Sequence, residues 1–387
     1  MKTKDQFKEY VAQILEKSGG PKPCAFGIGV RRFHNNKTLD GTDPLINFKE
    51  NSGTAAVFSD VFGIELAKKE NQTVKITRDD LAKAYAKFEA FHGELEDHAN
   101  VALLKQLLDA PVKEPYYGQR EMLVYFMFEE DKPVEDAIEG YFKLQCLSQR
   151  KALPHSLCLD GLFGKLENIA WSDKGPILAQ DLLEEQNKAL LSEPLVISHV
   201  DKFPYMVNYH VPEGVRIAAG AKARLGAHLG KGTTVMQAGF VNFNAGTKGT
   251  AMVEGRISAG VLVGEDSDIG GGASIMGTLS GGNKKVIKIG KQCLLGANAG
   301  TGISLGDGCT IAAGTYVTAG AKISLYDKDG APINEKGEKV LEGENIVKGE
   351  FLSEKAGYLY LQDSQTGKIV ARPNPKKIEL NEALHKN

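Results

Sequence analysis

The chain is poor in cysteine and in aromatic residues, and neither sign of charge dominates it. Its formal net charge of -2 over 387 residues argues against a surface that binds nucleic acid. The cysteines are odd in number and never stand in a C-x-x-C pair, so we expect neither a disulfide framework nor a zinc site. They are Cys24, Cys146, Cys158, Cys293 and Cys309. We therefore expect a protein of a reducing compartment with no nucleic-acid partner.

Long apolar runs are also missing. No stretch approaches the roughly 18 apolar residues of a membrane-spanning helix. The N-terminal residues mix charged and apolar side chains throughout and lack the apolar centre of a signal peptide. The sequence therefore predicts a cytoplasmic protein without a membrane partner.

The first 200 residues have the mixed patterns of an α/β domain. Helical spacing occurs over residues 3–18, 79–108 and 135–149, and strand-like runs occur over residues 25–30 and 122–128. No catalytic motif stands out in this region. We predict an N-terminal α/β domain over residues 1–200, whose role stays open between assembly, capping of the next domain and shaping of a substrate pocket.

Glycine is abundant where aromatic residues are rare. Residues 211–320 hold 25 of the 44 glycines but three aromatic residues, and aliphatic residues recur there every six positions. These positions are Val211, Ile217, Ala223, Leu229, Val235 and Val241, then Ile257, Val263, Ile269 and Ile275, then Ile289 and Leu295, then Leu305, Ile311, Val317 and Ile323. A period of six fits neither a helix nor an alternating strand, but it fits a solenoid with three six-residue units per coil. We therefore predict a parallel β-helix of about 18 residues per coil.

The six-residue period breaks in three places. The deviating steps are 16 from Val241 to Ile257, 14 from Ile275 to Ile289 and 10 from Leu295 to Leu305. Since a stacked core cannot absorb extra residues, we expect each break to be a loop outside the coil, and such loops often carry function. The predicted loops are residues 242–256, 276–288 and 296–304.

The first predicted loop carries Glu254 and Arg256 on either side of Gly255. The glutamate could act as a general base or as a nucleophile that forms an acyl anhydride. The arginine could clamp a substrate carboxylate with two hydrogen bonds. A surface ion pair explains the same two residues equally well, so residue types alone leave the choice open.

Three further features have both a structural and a functional interpretation. The glycines at 270–272 could bring backbone amides close to an oxyanion, or they could simply serve a corner. His228 lies in the coil, where several hexapeptide acyltransferases place a basic histidine, although a structural role is more common. Asn242 and Asn244 could face a polar ligand, but stacking at a corner is the favoured interpretation.

Three stretches point to a family by resemblance. They are VRIAAGAKARLGAHLGKGTTVM (215–236), GFVNFNAGTKGTAMVEGRISAGVLVGEDSDIGGGASIMGTLSGG (239–282) and IGKQCLLGANAGTGISLGDGC (289–309). In these stretches the chain closely resembles the 2,3,4,5-tetrahydropyridine-2,6-dicarboxylate (tetrahydrodipicolinate) N-succinyltransferases, in their longer form with a large N-terminal domain. The resemblance is dense from residue 171 to 320, returns at 362–364 and 380–385, and is loose over the first 150 residues.

The resemblance implies a fold and a reaction. The fold is an N-terminal α/β domain, a left-handed parallel β-helix of hexapeptide repeats and a small C-terminal β-rich segment. We place these at residues 1–200, 201–325 and 326–387, with the last segment contributing to CoA binding. The family transfers the succinyl group of succinyl-CoA to the amino group of ring-opened tetrahydrodipicolinate, giving N-succinyl-2-amino-6-oxopimelate and CoA, on the route to diaminopimelate and lysine. It implies a homotrimer with active sites between subunits.

The resemblance also assigns site residues. Glu254 matches the catalytic glutamate, and Gly277 matches the amide proposed for the oxyanion hole. The positions expected to contact succinyl-CoA are Arg256, Gly271, Ser274, Ala297, Ala312, Ala313, Gly320, Lys348, Leu361, Gln362, Asp363 and Ser364. Some members bind magnesium through acidic side chains, but the matching positions here are Ala221 and Ala238, so we predict no metal site. No cofactor is expected beyond succinyl-CoA as co-substrate.

Two other functions use related folds. Some β-helix proteins are structural modules related to γ-carbonic anhydrases, whose catalytic members hold zinc with three histidines. Only His228 lies in the coil here, so we favour the acyltransferase. A sister family uses acetyl-CoA, and a comparison of turnover with the two thioesters would decide between the acyl donors.

Overall fold

The computed structural model describes residues 1–19, 22–280 and 284–375. It divides into two compact units. Unit 1 comprises Met1–Cys146 and Ser156–Pro204, and unit 2 comprises Leu147–His155 together with the chain from Tyr205 onward. None of the described helices is long and apolar enough to cross a membrane. The stretch 380–385, where the family resemblance returns, lies outside the described residues.

The described part of the chain forms seven α-helices: α1 Lys4–Ser18, α2 Ser52–Phe62, α3 Arg78–Lys87, α4 Ala99–Asp109, α5 Ala137–Ser148, α6 Leu162–Lys165 and α7 Leu182–Ala189. Thr3 and Thr77 form capping boxes that begin α1 and α3, and Gly19 ends α1 in the left-handed conformation. The helices predicted at 3–18 and 135–149 are confirmed as α1 and α5. The helical spacing over 79–108 is divided between α3 and α4, because two 3-10 turns flank Gly93.

Unit 1 contains two antiparallel sheets. Their strands are β1 Ala25–His34, β2 Lys37–Phe48, β3 Gln72–Ile76 and β4 Gln119–Met127, then β5 Ile169–Ser172, β6 Gly175–Leu178 and β7 Ile197–Asp201. The strand orders are β2-β1-β4-β3 and β6-β5-β7. The strands predicted at 25–30 and 122–128 are confirmed as parts of β1 and β4.

Aromatic side chains form much of the core of unit 1. Phe26 on β1 stacks on Phe126 on β4 with ring centroids 5.2 Å apart, and Phe58 on α2 meets Phe26 edge-on at 6.0 Å. All three rings are buried, and burial of each contributes about 1.5–3 kcal/mol. Helix α2 therefore packs on the sheet through contacts between large aromatic side chains.

Unit 2 is a stack of very short strands. They are β8 Arg216–Ile217, β9 Lys222–Ala223, β10 His228–Leu229, β11 Thr233–Val235, β12 Phe240–Val241, β13 Gly246–Thr247, β14 Ala251–Val253, β15 Arg256–Ile257, β16 Leu262–Val263, β17 Ser267–Ile269, β18 Ser274–Ile275, β19 Lys288–Ile289, β20 Leu294–Leu295, β21 Gly300–Thr301, β22 Thr310–Ile311, β23 Tyr316–Val317, β24 Lys322–Leu325, β25 Ile346–Lys348, β26 Tyr358–Gln362 and β27 Ile369–Pro373.

These strands make three parallel faces, which the chain visits in turn. Face 1 runs β8-β11-β14-β17-β20-β22-β26, face 2 runs β9-β12-β15-β18-β21-β23, and face 3 runs β10-β13-β16-β19. Each strand on a face pairs in parallel with the strand one coil away, for example Val235 with Val253 and Val253 with Ile269. The parallel β-helix predicted from the six-residue period is therefore confirmed, and its left-handed sense stays a prediction of the resemblance.

One side chain per strand points into the coil and stacks on its equivalent in the next coil. Val235, Val253, Ile269, Leu295 and Ile311 form such a column on face 1 and are fully buried. Because the side chains match in size from coil to coil, the interior fills without voids large enough to distort the stack. The column ends on Tyr360 of β26, which pairs with Ile311 and belongs to the C-terminal β-rich segment.

The structure corrects two of the three predicted loops. Residues 242–256 are a nearly complete coil that includes β13 and β14, with Thr247 and Val253 buried inside it. The steps are Val241 to Thr247, six, then Val253, six, then Ile257, four, so this coil lacks two residues. The loop prediction was wrong because a buried threonine interrupts the aliphatic pattern; its hydroxyl is satisfied by Thr233 at 2.6 Å.

Residues 296–304 are likewise part of a coil, through β21. The buried Thr301 lies six residues after Leu295 and four before Leu305, so a second corner is two residues short. Residues 276–288 do form the predicted loop. Ile289 follows Ile275 by 14 positions, eight more than one unit, and Thr278 pairs antiparallel with Val286 as in a hairpin. Residues 281–283 of this loop lie outside the described residues.

Candidate functional site

Two edges of face 2 carry the departures from the regular repeat. The Glu254 edge is the series of corners that joins face 1 to face 2: residues 218–221, 236–239, 254–255, 270–273, 296–299 and 312–315. The hairpin edge is the series of segments that follow the strands of face 2: residues 224–227, 242–245, 258–261, 276–287, 302–303 and 318–321. Every predicted site residue of the coil lies on one of these edges or on the face between them.

Glu254 lies at a corner with two residues where its neighbours have four. The backbone N–H groups of Glu254 and Gly255 both donate to the carbonyl of Ile269, at 2.8 and 3.0 Å, which holds the short corner against the next coil. The half-buried Glu254 side chain lies over Gly271: its Oε2 is 3.4 Å from the point where a Cβ on that glycine would be. Its carboxylate makes no hydrogen bond or ion pair with the described residues. A positioned carboxylate of this kind is free to accept a proton or attack an acyl carbon.

Small residues continue the Glu254 edge toward the C-terminal end of the coil. The carbonyl of Gly271 accepts the N–H of Asn298, and the carbonyl of Ala297 accepts the N–H of Gly314, both at 2.9 Å. Gly271, Ala297 and Ala313 therefore occupy the same place in three successive coils. The result is a line of low side chains that leaves the backbone open to an extended ligand.

The C-terminal segment extends the same line by one more coil. The Ala312 N–H donates to the carbonyl of Tyr360 at 2.8 Å, and the Gln362 N–H donates to Thr315 Oγ1 at 3.1 Å. Leu361 to Ser364 thus lie next to Ala312 and Ala313. Asp363 accepts backbone N–H groups at the turn that follows, which lowers the pKa of its carboxyl. The structure therefore brings together Gly271, Ala297, Ala312, Ala313 and residues 361–364, in line with Glu254.

Arg256 and Ser274 lie on face 2 on adjacent strands. Arg256 Nη2 donates to Ser274 Oγ at 2.6 Å, and the guanidinium is exposed. No ion pair joins Arg256 to Glu254 in the part of the chain that the structure describes, so the surface ion pair is not the arrangement found. A guanidinium has five N–H donors in a fixed fork, so most of them remain available for a ligand carboxylate.

Gly277 lies in the hairpin, on the opposite edge of face 2. Its carbonyl accepts the N–H of Ile287 at 3.2 Å, while its own N–H has no hydrogen-bond partner among residues 1–19, 22–280 and 284–375. Gly277 is half-buried, and a Cβ there would lie 3.1 Å from the carbonyl oxygen of Ala259. An unpaired and partly desolvated N–H is the kind of group that can stabilise an oxyanion.

Gly320 and Lys348 also belong to the hairpin edge. Gly320 lies in the corner 318–321, and Lys348 on β25 pairs with Lys322 directly after that corner. The N–H of Gly349 donates to the carbonyl of Ala321 at 2.8 Å, which holds the two segments together. The structure therefore places Gly320 and Lys348 at the hairpin edge rather than at the Glu254 edge.

Within one chain, Glu254 and Gly277 do not meet. Arg256 and Ser274 are paired on adjacent strands. Glu254 lies two residues before Arg256, and Gly277 lies three residues after Ser274, so the two are five residue steps apart along the strand direction. Five residue steps along a strand direction span about 16 Å. This is too far for both groups to touch the same acyl carbon, which needs partners at hydrogen-bond distance.

The remaining polar candidates of the coil have structural partners. His228 is buried, with Nδ1 3.0 Å from the carbonyl oxygen of Ala152, and burial lowers the pKa of its imidazole. Asn242 Oδ1 accepts from Arg224 Nη1 at 3.1 Å, and Asn244 Oδ1 accepts the N–H of His155 at 2.9 Å. Each of the three side chains thus has a hydrogen-bond partner within the protein, and the two asparagines bond to Arg224 and His155 rather than to each other.

Among the described residues, no cluster of three or more histidine, cysteine, aspartate and glutamate side chains could hold a metal ion. Ala221 and Ala238, at the positions where some relatives have acidic ligands, offer no side-chain oxygen.

The two-residue corner at Glu254 is a feature of the site that the six-residue period did not predict. The step of 16 residues from Val241 to Ile257 predicts extra residues in a loop. In the structure it consists of three six-residue units with two residues missing, and the two are missing from the corner that contains Glu254. Val253, an aliphatic residue four positions before Ile257, was the available signal. Within the hairpin, the buried Leu279 and Ile287 also carry part of the core and were not recognised.

Comparisons with known proteins agree along the whole chain. The family model for the N-terminal region of tetrahydrodipicolinate N-succinyltransferase matches residues 5–164, and the model for the middle region matches residues 166–205. A model for the hexapeptide repeat of succinyl-transferase matches residues 286–319. These matches cover well over half of the sequence.

Individual relatives are similar over most of their length. A 2,3,4,5-tetrahydropyridine-2,6-dicarboxylate N-succinyltransferase of Vibrio cholerae is 48% identical over 318 residues, covering 82% of this chain and 86% of that protein. The protein of the same description from Campylobacter jejuni is 40% identical over 396 residues, covering 99% of both chains. A solved structure of a 2,3,4,5-tetrahydropyridine-2-carboxylate N-succinyltransferase from Campylobacter jejuni aligns with a TM-score of 0.84 at 38% identity, over 97% of this chain and 99% of that one.

Proposed function

Because this chain belongs to the tetrahydrodipicolinate N-succinyltransferase family, we propose that its two groups of site residues form one active site for succinyl transfer. The chain is a succinyltransferase of the diaminopimelate and lysine pathway. Its substrates are succinyl-CoA and tetrahydrodipicolinate. None of the five cysteines forms a disulfide with another described residue, which supports the cytoplasm as the proposed location.

The reaction forms a C–N bond and breaks a C–S bond. The amino nitrogen of ring-opened tetrahydrodipicolinate attacks the thioester carbonyl of succinyl-CoA, directly or after transfer of the succinyl group to an enzyme carboxylate. The nitrogen loses a proton, the carbonyl oxygen carries negative charge in the tetrahedral state, and the CoA thiolate leaves and takes up a proton. The products are N-succinyl-2-amino-6-oxopimelate and CoA. The site must therefore supply a base or nucleophile, an oxyanion donor and a carboxylate anchor.

The observation that carries the proposal is the line of small residues on the Glu254 edge. Gly271, Ala297, Ala313 and residues 361–364 follow one another in successive coils and end at the Glu254 carboxylate. An extended pantetheine arm fits such a line, because backbone groups are reachable and no large side chain interrupts it. We assign this line to CoA, with residues 201–325 as the catalytic domain and 326–387 as the segment that completes the CoA site.

Arg256 is proposed as the anchor for the free carboxylate of the succinyl group. Ser274 Oγ accepts one of its N–H groups at 2.6 Å and so orients the guanidinium across face 2. A bidentate pair with a carboxylate is geometrically specific. The acetyl group of acetyl-CoA has no free carboxylate, so this contact would favour succinyl-CoA over acetyl-CoA.

Glu254 is proposed as the group that acts on the acyl transfer, either as the base for the amine or as an anhydride-forming nucleophile. Gly277 is proposed as the oxyanion donor through its N–H, which is unpaired within the described part of the chain. Since the two lie about 16 Å apart on one chain, we propose a homotrimer in which the Glu254 edge of one subunit faces the hairpin edge of its neighbour. Three such sites would form around a three-fold axis.

Subunit complementation tests this arrangement. Glu254→Gln and Gly277→Pro chains are co-expressed with different tags, and mixed assemblies are purified on both tags. Every mixed trimer then contains one intact site of three, whichever variant is in excess, so we expect about one third of the wild-type rate of CoA release. Each variant alone should be nearly inactive while retaining the wild-type size and circular dichroism.

The opposite result is equally clear. If mixed assemblies stay as inactive as the single variants while wild-type subunits turn over, the active site lies within one chain and the intersubunit proposal is wrong. A monomeric wild-type protein with full activity would contradict it as well.

A further inference from the structure

The hairpin and the second short corner are complementary. The coil with eight extra residues, at 276–287, is followed on the same edge by the corner 302–303, which lacks two. Gly302 is buried beneath the hairpin: a Cβ there would lie 2.8 Å from Met276 Sδ and 2.9 Å from Ser280 Cβ. The shortened corner and its glycine therefore make the space into which the first strand of the hairpin packs.

Ser280 ties this strand to two successive coils. Its N–H donates to the carbonyl of Gly302 at 2.9 Å, and its Oγ accepts the N–H of Ala319, one coil further on, at 2.7 Å. At the start of the strand, the N–H of Met276 donates to the carbonyl of Thr301 at 3.0 Å. The segment 276–280 is thus held at both ends, and the N–H of Gly277, which has no partner among the described residues, lies between them.

From this geometry we propose that Ser280, packed against Gly302, is the positioning residue for the Gly277 amide. The inference rests on the proposed role of Gly277 as oxyanion donor. An oxyanion donor works only within about 2.7–3.1 Å of the developing charge, and a misplacement of about 1 Å can cost up to a hundredfold in rate. Loss of the Ser280 hydroxyl leaves the Ala319 N–H unpaired and releases the end of the segment that sets this distance.

Three variants of the full-length protein test the proposal. Ser280→Ala removes the hydroxyl, and Gly302→Ala adds a methyl group that displaces Met276 and Ser280. Ser267→Ala is the matched control: the buried Ser267 Oγ also bridges coils, accepting the N–H of Cys293 and donating to the carbonyl of Gly290, each at 3.1 Å, but on the edge between faces 3 and 1.

We expect Ser280→Ala and Gly302→Ala each to lower kcat for CoA release about tenfold, with KM for succinyl-CoA within about twofold of wild type. The double variant should be no slower than the worse single variant by more than about twofold, because both changes disturb one contact. Ser267→Ala should lower the thermal midpoint and leave kcat unchanged.

The outcomes separate the two proposals. If the wild-type protein and Ser267→Ala turn over normally and Ser280→Ala does too, Ser280 does not position the amide, while the proposed function stands. If Ser280→Ala and Ser267→Ala lose kcat in parallel with stability, or if the loss is in KM, the role of Ser280 is structural or lies in binding, and the proposal is overturned. Absence of succinyl transfer by the wild-type protein would instead refute the proposed function.

Discussion

The Glu254 edge and the hairpin edge belong to the same coils, but the corner at Glu254 and the hairpin at 276–287 depart from the repeat in opposite ways. At the Glu254 edge the chain loses two residues, and the backbone at Glu254 and Gly255 is drawn in against Ile269. At the hairpin edge it gains eight, and the added segment needs contacts of its own, such as those of Ser280 and Leu279. In both places the inward side chains keep their columns.

The difference shows how a β-helix can acquire a site without loss of its core. A deletion at a corner shortens a connection that contributes little to the interior, so the face residues Val253 and Ile257 remain fully buried. It also brings the Glu254 carboxylate over Gly271. An insertion adds backbone and with it conformational freedom, which extra hydrogen bonds such as those of Ser280 must restrict. A side chain placed by a shortened corner and an amide placed by a hydrogen-bonded insertion therefore lie on opposite sides of face 2.

The largest expected effect comes from removing the charge on the Glu254 edge. Glu254→Gln keeps the size of the side chain and abolishes its basicity and nucleophilicity, so we expect kcat to fall about a thousandfold. The rate of CoA release with succinyl-CoA and tetrahydrodipicolinate measures it. Glu265→Gln, at an exposed glutamate paired with Lys291 at 3.5 Å on another edge, is the control and should retain wild-type turnover. Unchanged turnover of Glu254→Gln would exclude this residue from the chemistry.

The second prediction concerns a variant in which the corner at Glu254 is restored to its regular length. Inserting a glycine and an alanine between Glu254 and Gly255 restores a corner of four residues, as in the neighbouring coils. We expect the thermal midpoint to change little, because Val253 and Ile257 keep their places, and kcat to fall about a hundredfold as the carboxylate moves outward. The same insertion at the exposed turn 328–330 should leave activity unchanged. Full activity of the first insertion would show that the short corner does not position Glu254.

A smaller effect is expected along the line of small residues. Ala313→Glu places a negative charge in the proposed path of CoA, which itself carries phosphates, so KM for succinyl-CoA should rise about tenfold with kcat nearly unchanged. Gln237→Glu makes a matched change: it adds the same charge at the equivalent exposed position of a corner, but before Glu254 in the coil order. Steady-state kinetics on both variants would locate CoA. Equal effects would mean that CoA does not follow the line through Ala313.

Much of unit 2 could be predicted from sequence because one physical rule repeats. Most coils bury an aliphatic residue on each face, and the spacing of Ile257, Val263 and Ile269 by six positions indicates this in the sequence. The rule failed where a threonine took the inward place, at Thr247 and Thr301, because a buried hydroxyl with a local partner serves as well as a methyl group there. Without an aliphatic residue at these two positions, the pattern predicts insertions where the structure has the short corners 254–255 and 302–303.

The rest of the fold and of the site depends on contacts that no period encodes. In unit 1, Phe26, Phe58 and Phe126 meet from distant parts of the chain, and nothing in their spacing indicates it. In the site, Glu254 and Gly277 were identified through resemblance to a family, but their separation across face 2 required the strand register. The contact of Ser280 with Ala319 spans 39 residues and rests on one hydroxyl.

The C-terminal strands have a consequence for the whole stack. Coils that add to one another through parallel backbone hydrogen bonds have no inherent end, and an open last coil offers its unpaired groups to any other strand. Here β26 covers β22 in parallel, and the chain then turns back, so that β27 pairs antiparallel with β26. Beyond β27 the sheet continues through β24 to β25, so that a strand of three residues forms its edge, and short edge strands resist pairing with another chain. The segment proposed to complete the CoA site thereby also guards the protein against head-to-tail polymerisation into fibres.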